Sequence, residues 1–153
     1  MSTHPPVQSW TLRPALPEDV EPIAELRAVV MRPDLERLGR YDEQRVRQRF
    51  RDAYEPGQTE IVLIGDAFAG CVALRPADDG WWLESFLLAP EVQGRGVGTG
   101  VLTALLARAD AAGTPVRLQV LQGSPARGLY ERHGFRREHE DAVDVYMVRE
   151  ARG

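Results

Sequence analysis

The stretch EVQGRGVGTGVL (residues 91–102) places glycines at positions 94, 96, 98 and 100, directly after Pro90 and directly before an apolar run. Val101, Leu102, Leu105, Leu106 and Ala109 recur at helical spacing, Gly113 is placed to end that helix, and Pro115 lies just beyond. So much bare backbone at the mouth of a strong helix needs a reason. A dinucleotide fingerprint wants G-x-G-x-x-G, and the phosphate loop of NTPases wants a lysine that this chain lacks, so both patterns fail. A flexible turn is the plain alternative, but it leaves the alternate spacing and the immediate helix unexplained. A helix N-terminus exposes amides without intrahelical partners at the positive end of its dipole. Glycines let an anion approach that backbone, and Arg95 adds a permanently charged fork. The stretch predicts a cradle for a phosphate-bearing ligand.

Working outward, residues 10–15 alternate as a first strand. A helix is expected over residues 17–30, with Pro17 at its first position, Ile23, Leu26 and Val30 as its stripe, and Pro33 ending it. A second helix is expected over residues 42–54 on Val46, Phe50 and Tyr54, its arginines on solvated faces. TEIVLI, AGCVALR and WWLESFLLA, separated by turn residues, read as an antiparallel meander. After the glycine-led helix come VRLQVL as a buried strand and a short helix capped by Ser124, running to about His133. GFRREHEDAVDVYMVRE reads as two closing strands. The order β-α-α-β-β-β-α-β-α-β-β describes an α/β (α+β) chain with a mixed sheet and helices on its faces.

At 153 residues the sequence reads as a single domain, 1–153, large enough to bury a core. Its hydrophobic share of 43% and charged share of 27% are those of a soluble protein, and no run approaches the roughly 18 apolar residues of a membrane helix. MSTHPPVQSW has no cationic start and no apolar core, which predicts no export signal and a cytoplasmic protein. The net charge of −4 argues against nucleic acid as a partner. All 19 basic residues are arginines, and lysine and asparagine are absent, a bias expected of a GC-rich, bacterial gene. Arginine-rich stretches such as RVRQRFR are therefore discounted as functional evidence. Cys71, the only cysteine, permits no internal disulfide and no cysteine-based metal site; it reads as a small buried hydrophobe. His133 and His139 are expected to be exposed.

QGRGVG (residues 93–98) resembles the [RQ]-x-x-G-x-[GA] motif of the GCN5-related N-acetyltransferase (GNAT) family. LESFLLAP before it resembles that family's fourth strand. A second block, ARGLYERHGF (residues 126–135), is similar to its A-x-x-L-Y-E-x-x-G-F, and LRPALPEDVEPIAEL to its first strand and helix. Two blocks about thirty residues apart, in order and on the expected elements, are far more specific than either alone. The resemblance implies a mostly antiparallel sheet of about seven strands with about four helices, splayed between strands 4 and 5.

It also implies acetyl-CoA. The pyrophosphate would lie on the amides of Gln93, Gly94, Arg95, Gly96, Val97, Gly98 and Thr99. Backbone at Phe86, Leu87 and Leu88 would pair with the pantetheine arm as an added strand. The amide of Leu87 or of Leu88 would polarise the thioester, a choice left open. Ala126 and Leu129 fall in the cofactor-facing block. Tyr130 matches the general acid that protonates the leaving thiolate. Glu84 is the best-placed carboxylate for a base, with a water chain as the alternative. Where the family often has asparagine, this chain has Gly123, with Ser124 beside it as the candidate cofactor contact.

The implied reaction moves acetyl to a primary amine of a small molecule or peptide, without a metal; a non-catalytic acyl-CoA sensor is the competing reading. Acceptor choice is expected in residues 28–56, with Arg32, Arg40, Tyr41 and Asp42 as candidates. Arginines there would suit a carboxylate-bearing amine and acidic residues a polyamine. The resemblance allows a homodimer, and no sequence feature demands one.

Overall fold

The periodicities resolve into β1 (Thr11–Pro14), α1 (Val20–Arg37), α2 (Glu43–Ala53), β2 (Thr59–Ile64), β3 (Ala67–Ala77), β4 (Gly80–Leu88), α3 (Val97–Ala112), β5 (Val116–Leu121), α4 (Ala126–Arg132), β6 (Arg136–Glu140) and β7 (Asp144–Arg149). The computed structural model describes residues 9–153, so most of the stretch read for an export signal lies outside the described residues. The seven strands form one sheet in the order β1-β2-β3-β4-β5-β7-β6. Only β4 and β5 run parallel; the other neighbours are antiparallel, as a meander followed by a returning hairpin requires.

The parallel pair is short. Trp81, Trp82 and Leu83 face Val116, Arg117 and Leu118, and pairing stops there although β4 continues to Leu88 and β5 to Leu121. On the other edge of β4 the register with β3 slips between Cys71–Leu87 and Ala73–Glu84, leaving one extra residue on β4. Ser85 takes the left-handed conformation in that bulge, at φ 48°. A bulge kinks and twists its strand, and here it lies where β5 departs. The expected splay between strands 4 and 5 is therefore present.

Core formation follows the apolar stripes. Val97, Val101, Leu102, Leu105, Leu106 and Ala109 on α3 are all buried, and so are Ile61, Val62, Leu118, Val145 and Met147 on the strands. Two ion pairs fasten α3 across the sheet, Arg108 to Glu60 of β2 and Asp110 to Arg149 of β7. On α2, Val46 and Phe50 are buried, and Asp42 caps the helix by accepting from the Gln44 and Arg45 amides.

The first helix departs from expectation. Residues 17–19 form a 3₁₀ turn, and α1 then continues through Pro33 to Arg37. Proline removes one helical donor, but Pro33 and Val29, four residues before it, are both exposed, so water can satisfy the orphaned carbonyl. The helix runs about two turns beyond residue 30, and Met31, Asp34 and Leu35 of that extension line the cavity described next.

Candidate functional site

Three elements meet at the splay. At the end of β4, Gln93 folds back and donates from Nε2 to the Leu88 carbonyl at 3.0 Å, tying the glycine loop to the strand. Gly94 and Gly96 both take positive φ, at 76° and 82°, which a side chain would resist. Helix α3 then starts at Val97, its first bond running from the Gly100 amide to the Gly96 carbonyl. Among the described residues, the amides of Gly94, Arg95, Gly96, Val97, Gly98 and Thr99 meet no backbone acceptor. A row of unpartnered donors beside a helix dipole, with the exposed Arg95 among them, has the donor chemistry a pyrophosphate needs. Gly98 faces Leu88 and Leu129, whose side chains lie 3.4 and 3.8 Å from where its Cβ would stand. The cradle therefore adjoins both the fourth strand and the last helix.

The strand's peptide groups divide by direction. The Leu87 carbonyl faces β3, since a Cβ on Gly70 would fall 2.1 Å from its oxygen. Burial pushes the Cys71 thiol up to about 12, and the Leu87 amide, set against the sulfur, offsets part of that rise. Cys71 is thus the inert buried hydrophobe the sequence suggested. Leu88 points the other way, its carbonyl taken by Gln93 on the side that β5 has vacated.

Beyond the splay opens a cavity of about 1240 Å³, walled by α1 and α2, the free ends of β4 and β5, and the start of α4. Glu84, Phe86, Leu87, Ser124, Ala126 and Tyr130 all line it. Tyr130 is 8% exposed, its ring set edge-on against Phe135 at 5.7 Å between centroids. Burial pushes its phenol up to about 12, so the proton is retained at neutral pH. Glu84 receives Nε and Nη2 of Arg75 on a single oxygen, Oε1, at 3.0 and 2.8 Å. Ser124 caps α4 by accepting from the Ala126 amide at 3.2 Å. Gly123 beside it has φ 76°, and a Cβ there would fall 2.8 Å from an Arg37 guanidinium nitrogen, so turn and packing explain its glycine.

Of the acceptor candidates, Arg40, Tyr41 and Asp42 line the cavity, whereas Arg32 pairs with Glu36 and lies over the Tyr41 ring. His133 is half-buried, against expectation: its Nδ1 lies 2.8 Å from the Leu129 carbonyl, and helix α4 turns it toward Thr103. His139 is exposed and stacks on Tyr146. Arg27, Arg45 and Arg49 also line the cavity, and no motif marked them. For Arg27 a signal existed: it follows Ile23 by four residues and precedes Val30 by three, a charge inside the apolar stripe of α1. Arg45 and Arg49 belong to RVRQRFR, whose other pair, Arg47 and Arg51, binds Glu25 and Glu21 on α1. Arg45 and Arg49 are exposed and Arg47 and Arg51 half-exposed, so the arginines of α2 lie on its solvated faces as expected.

A sheet split beside a glycine-rich helix start is the arrangement that the resemblance to the acetyltransferase family implied. The family model described as the Acetyltransferase (GNAT) family matches residues 23–135, about three-quarters of the chain. The chain belongs to that family and is an acetyl-CoA-dependent N-acetyltransferase. Its fold is shared with the PaiA N-acetyltransferase of Thermoplasma acidophilum, solved with coenzyme A, at 20% identity and a TM-score of 0.76 over 93% of this chain and 99% of that one. A GCN5-related N-acetyltransferase from Rhodopseudomonas palustris is similar at 20% identity and a TM-score of 0.73, over 96% of this chain and 99% of that one. N-acetylglutamate synthase from Neisseria gonorrhoeae, solved with coenzyme A and N-acetyl-glutamate, is similar at 18% identity and a TM-score of 0.67, over 95% of this chain and 36% of that longer one. No protein of curated function is similar at the sequence level. Among the described residues, no helix is long and apolar enough to cross a membrane.

Proposed function

We propose that the chain acetylates a primary amine of a small molecule or peptide by direct attack on the thioester, with Tyr130 as the general acid. The observation that carries this reading is a protonated, buried phenol in the wall of the same cavity that receives the free end of β4. Acetyl-CoA supplies the activated acyl group, and the amides around Gly96 and Gly98, with Arg95, would hold its pyrophosphate. Phe86 and Leu88 would pair with the pantetheine arm. Leu87 turns its peptide toward β3, so the Leu88 amide is the better donor to the thioester carbonyl, where charge develops as the amine adds.

Glu84 keeps Oε2 clear of Arg75, and that oxygen would receive the acceptor's ammonium and take its proton, directly or through water. Tyr130 then gives its proton to the departing thiolate. The test is release of free CoA from acetyl-CoA across an amine panel, comparing wild type with Tyr130→Phe. Turnover that falls sharply in the variant supports the assignment. Equal rates would remove Tyr130 from the chemistry, and tight CoA binding with no turnover on any amine would mark a sensor.

A further inference from the structure

Arg27 stands on α1 between Ile23, which is fully buried, and Val30, and it lines the cavity. Its Nε is sealed from water and has no hydrogen-bond partner, alone in this among side-chain atoms of the described residues. A buried donor left without an acceptor is costly, and nothing in the fold satisfies this one. Burial lowers its pKa, the nearby Cys71 opposes that, and Arg49 lowers it further, so two guanidinium groups bear on one space. Most arginines of this chain are in ion pairs, yet Arg27, Arg40, Arg45 and Arg49 are in none among the described residues.

The acidic lining is largely committed elsewhere. Asp34 pairs with Arg37, Asp42 caps α2, Glu84 holds Arg75, and Asp141 accepts the Val143 and Asp144 amides. Asp42, Glu55, Asp141 and Asp144 are the lining carboxylates without a side-chain partner among the described residues. Arg45 faces Asp42 and Arg40 faces Asp141, whereas no carboxylate bears on Arg27, whose charged neighbour is Arg49, and that pair suits an anion. Arg27 lies near Cys71, the register partner of Leu87, so an anion held there would sit in the cavity beside the acyl site.

We propose that the amine acceptor also carries a carboxylate, and that Arg27, assisted by Arg49, binds it. This rests on the acetyltransfer reading above and narrows its substrate class. A guanidinium matches a carboxylate with two parallel N–H donors, so the acid should be favoured strongly over its amide.

The test is calorimetric titration of the CoA-saturated protein with N-acetylglycine, N-acetylaspartate and N-acetylphenylalanine, and with their C-terminal carboxamides and acetylspermidine. At least one acid should bind about 100-fold more tightly than its carboxamide, and Arg27→Gln should abolish that preference. Arg27→Gln should keep or raise the Tm, because it removes a sealed donor that has no acceptor. Arg27→Lys should restore only part of the preference, and Arg49→Gln, on an exposed helix face, should weaken acid binding should the Arg27 variant fail to fold. Equal binding of acid and amide, binding of none, or preference for acetylspermidine would overturn the proposal. CoA release measured in parallel separates the two readings. Release only with amines that lack a carboxylate defeats this proposal and keeps the chemistry. Acid binding without release on any free amine keeps the carboxylate site and defeats the chemistry.

Discussion

The indole of Trp10 lies so close over Gly100 that a Cβ there would fall 2.6 Å from Nε1, whereas a Cβ on Gly98 would meet nothing nearer than 3.4 Å. Two glycines of one alternating run therefore serve different ends. Gly100→Ala should overpack the site at a cost of roughly 1–3 kcal/mol, lowering the Tm by several degrees while the folded fraction keeps its acetyl-CoA affinity. Gly98→Asp should do the reverse. An acidic residue in the first turn suits the dipole of α3, so the fold survives, but the carboxylate repels a pyrophosphate. Acetyl-CoA should bind about 100-fold more weakly by calorimetry; unchanged affinity would refute the cradle.

Tyr130→Phe should lower kcat by roughly 10²–10⁴-fold with little change in the KM for acetyl-CoA, since the ring and its contact with Phe135 remain. The phenol is raised to about 12, so it stays protonated below that pH. No alkaline fall in rate due to this group is expected between pH 7 and pH 10. Stopped-assay profiles that lose activity near pH 10 in the wild type but not in Tyr130→Phe would contradict it.

Glu84→Gln should lower kcat/KM for the amine by about 10- to 100-fold and leave the KM for acetyl-CoA alone, because Glu84 lines the cavity from β4 and is no part of the glycine loop. Steady-state kinetics with each substrate varied in turn makes the distinction. An unchanged kcat/KM would assign proton removal to water.

Asp110 is held at about 2 by the Arg149 guanidinium and then by the Arg152 amide. A carboxylate whose folded pKa is depressed stabilises the fold above its unfolded value, near 4, and loses that contribution as pH falls through 2. Arg149 is only 5% exposed, so Asp110→Asn leaves a buried charge short of its partner. The variant should melt several degrees lower at pH 7 and show a flatter Tm between pH 4 and pH 2 than the wild type.

Much of the fold was legible because it is written in short-range pattern. The apolar run of α3, the Ser124 cap of α4 and the alternation of the strands each state their element locally, and the two family blocks then supplied the split sheet. Other features depend on distant parts of the chain. Pro33 reads as a helix end, yet α1 passes it because both positions flanking the lost bond face water. His133 reads as exposed until α4 and α3 are set side by side. The bulge at Ser85 leaves no residue signature, since it arises from pairing β4 with β3.

The sequence alone determined the order of elements and the family, and singled out the glycine stretch and Tyr130 as site candidates, all of which depend on residues close together along the chain or on motifs a few positions long. Tertiary structure alone decided that Gly100 serves Trp10, that Leu87 turns toward β3, and that Arg27 stands unpaired beside the cavity beyond the split sheet. Those facts concern which groups lack a partner or lack room. A residue's freedom or confinement depends on what the fold brings against it from elsewhere, and no local pattern records that.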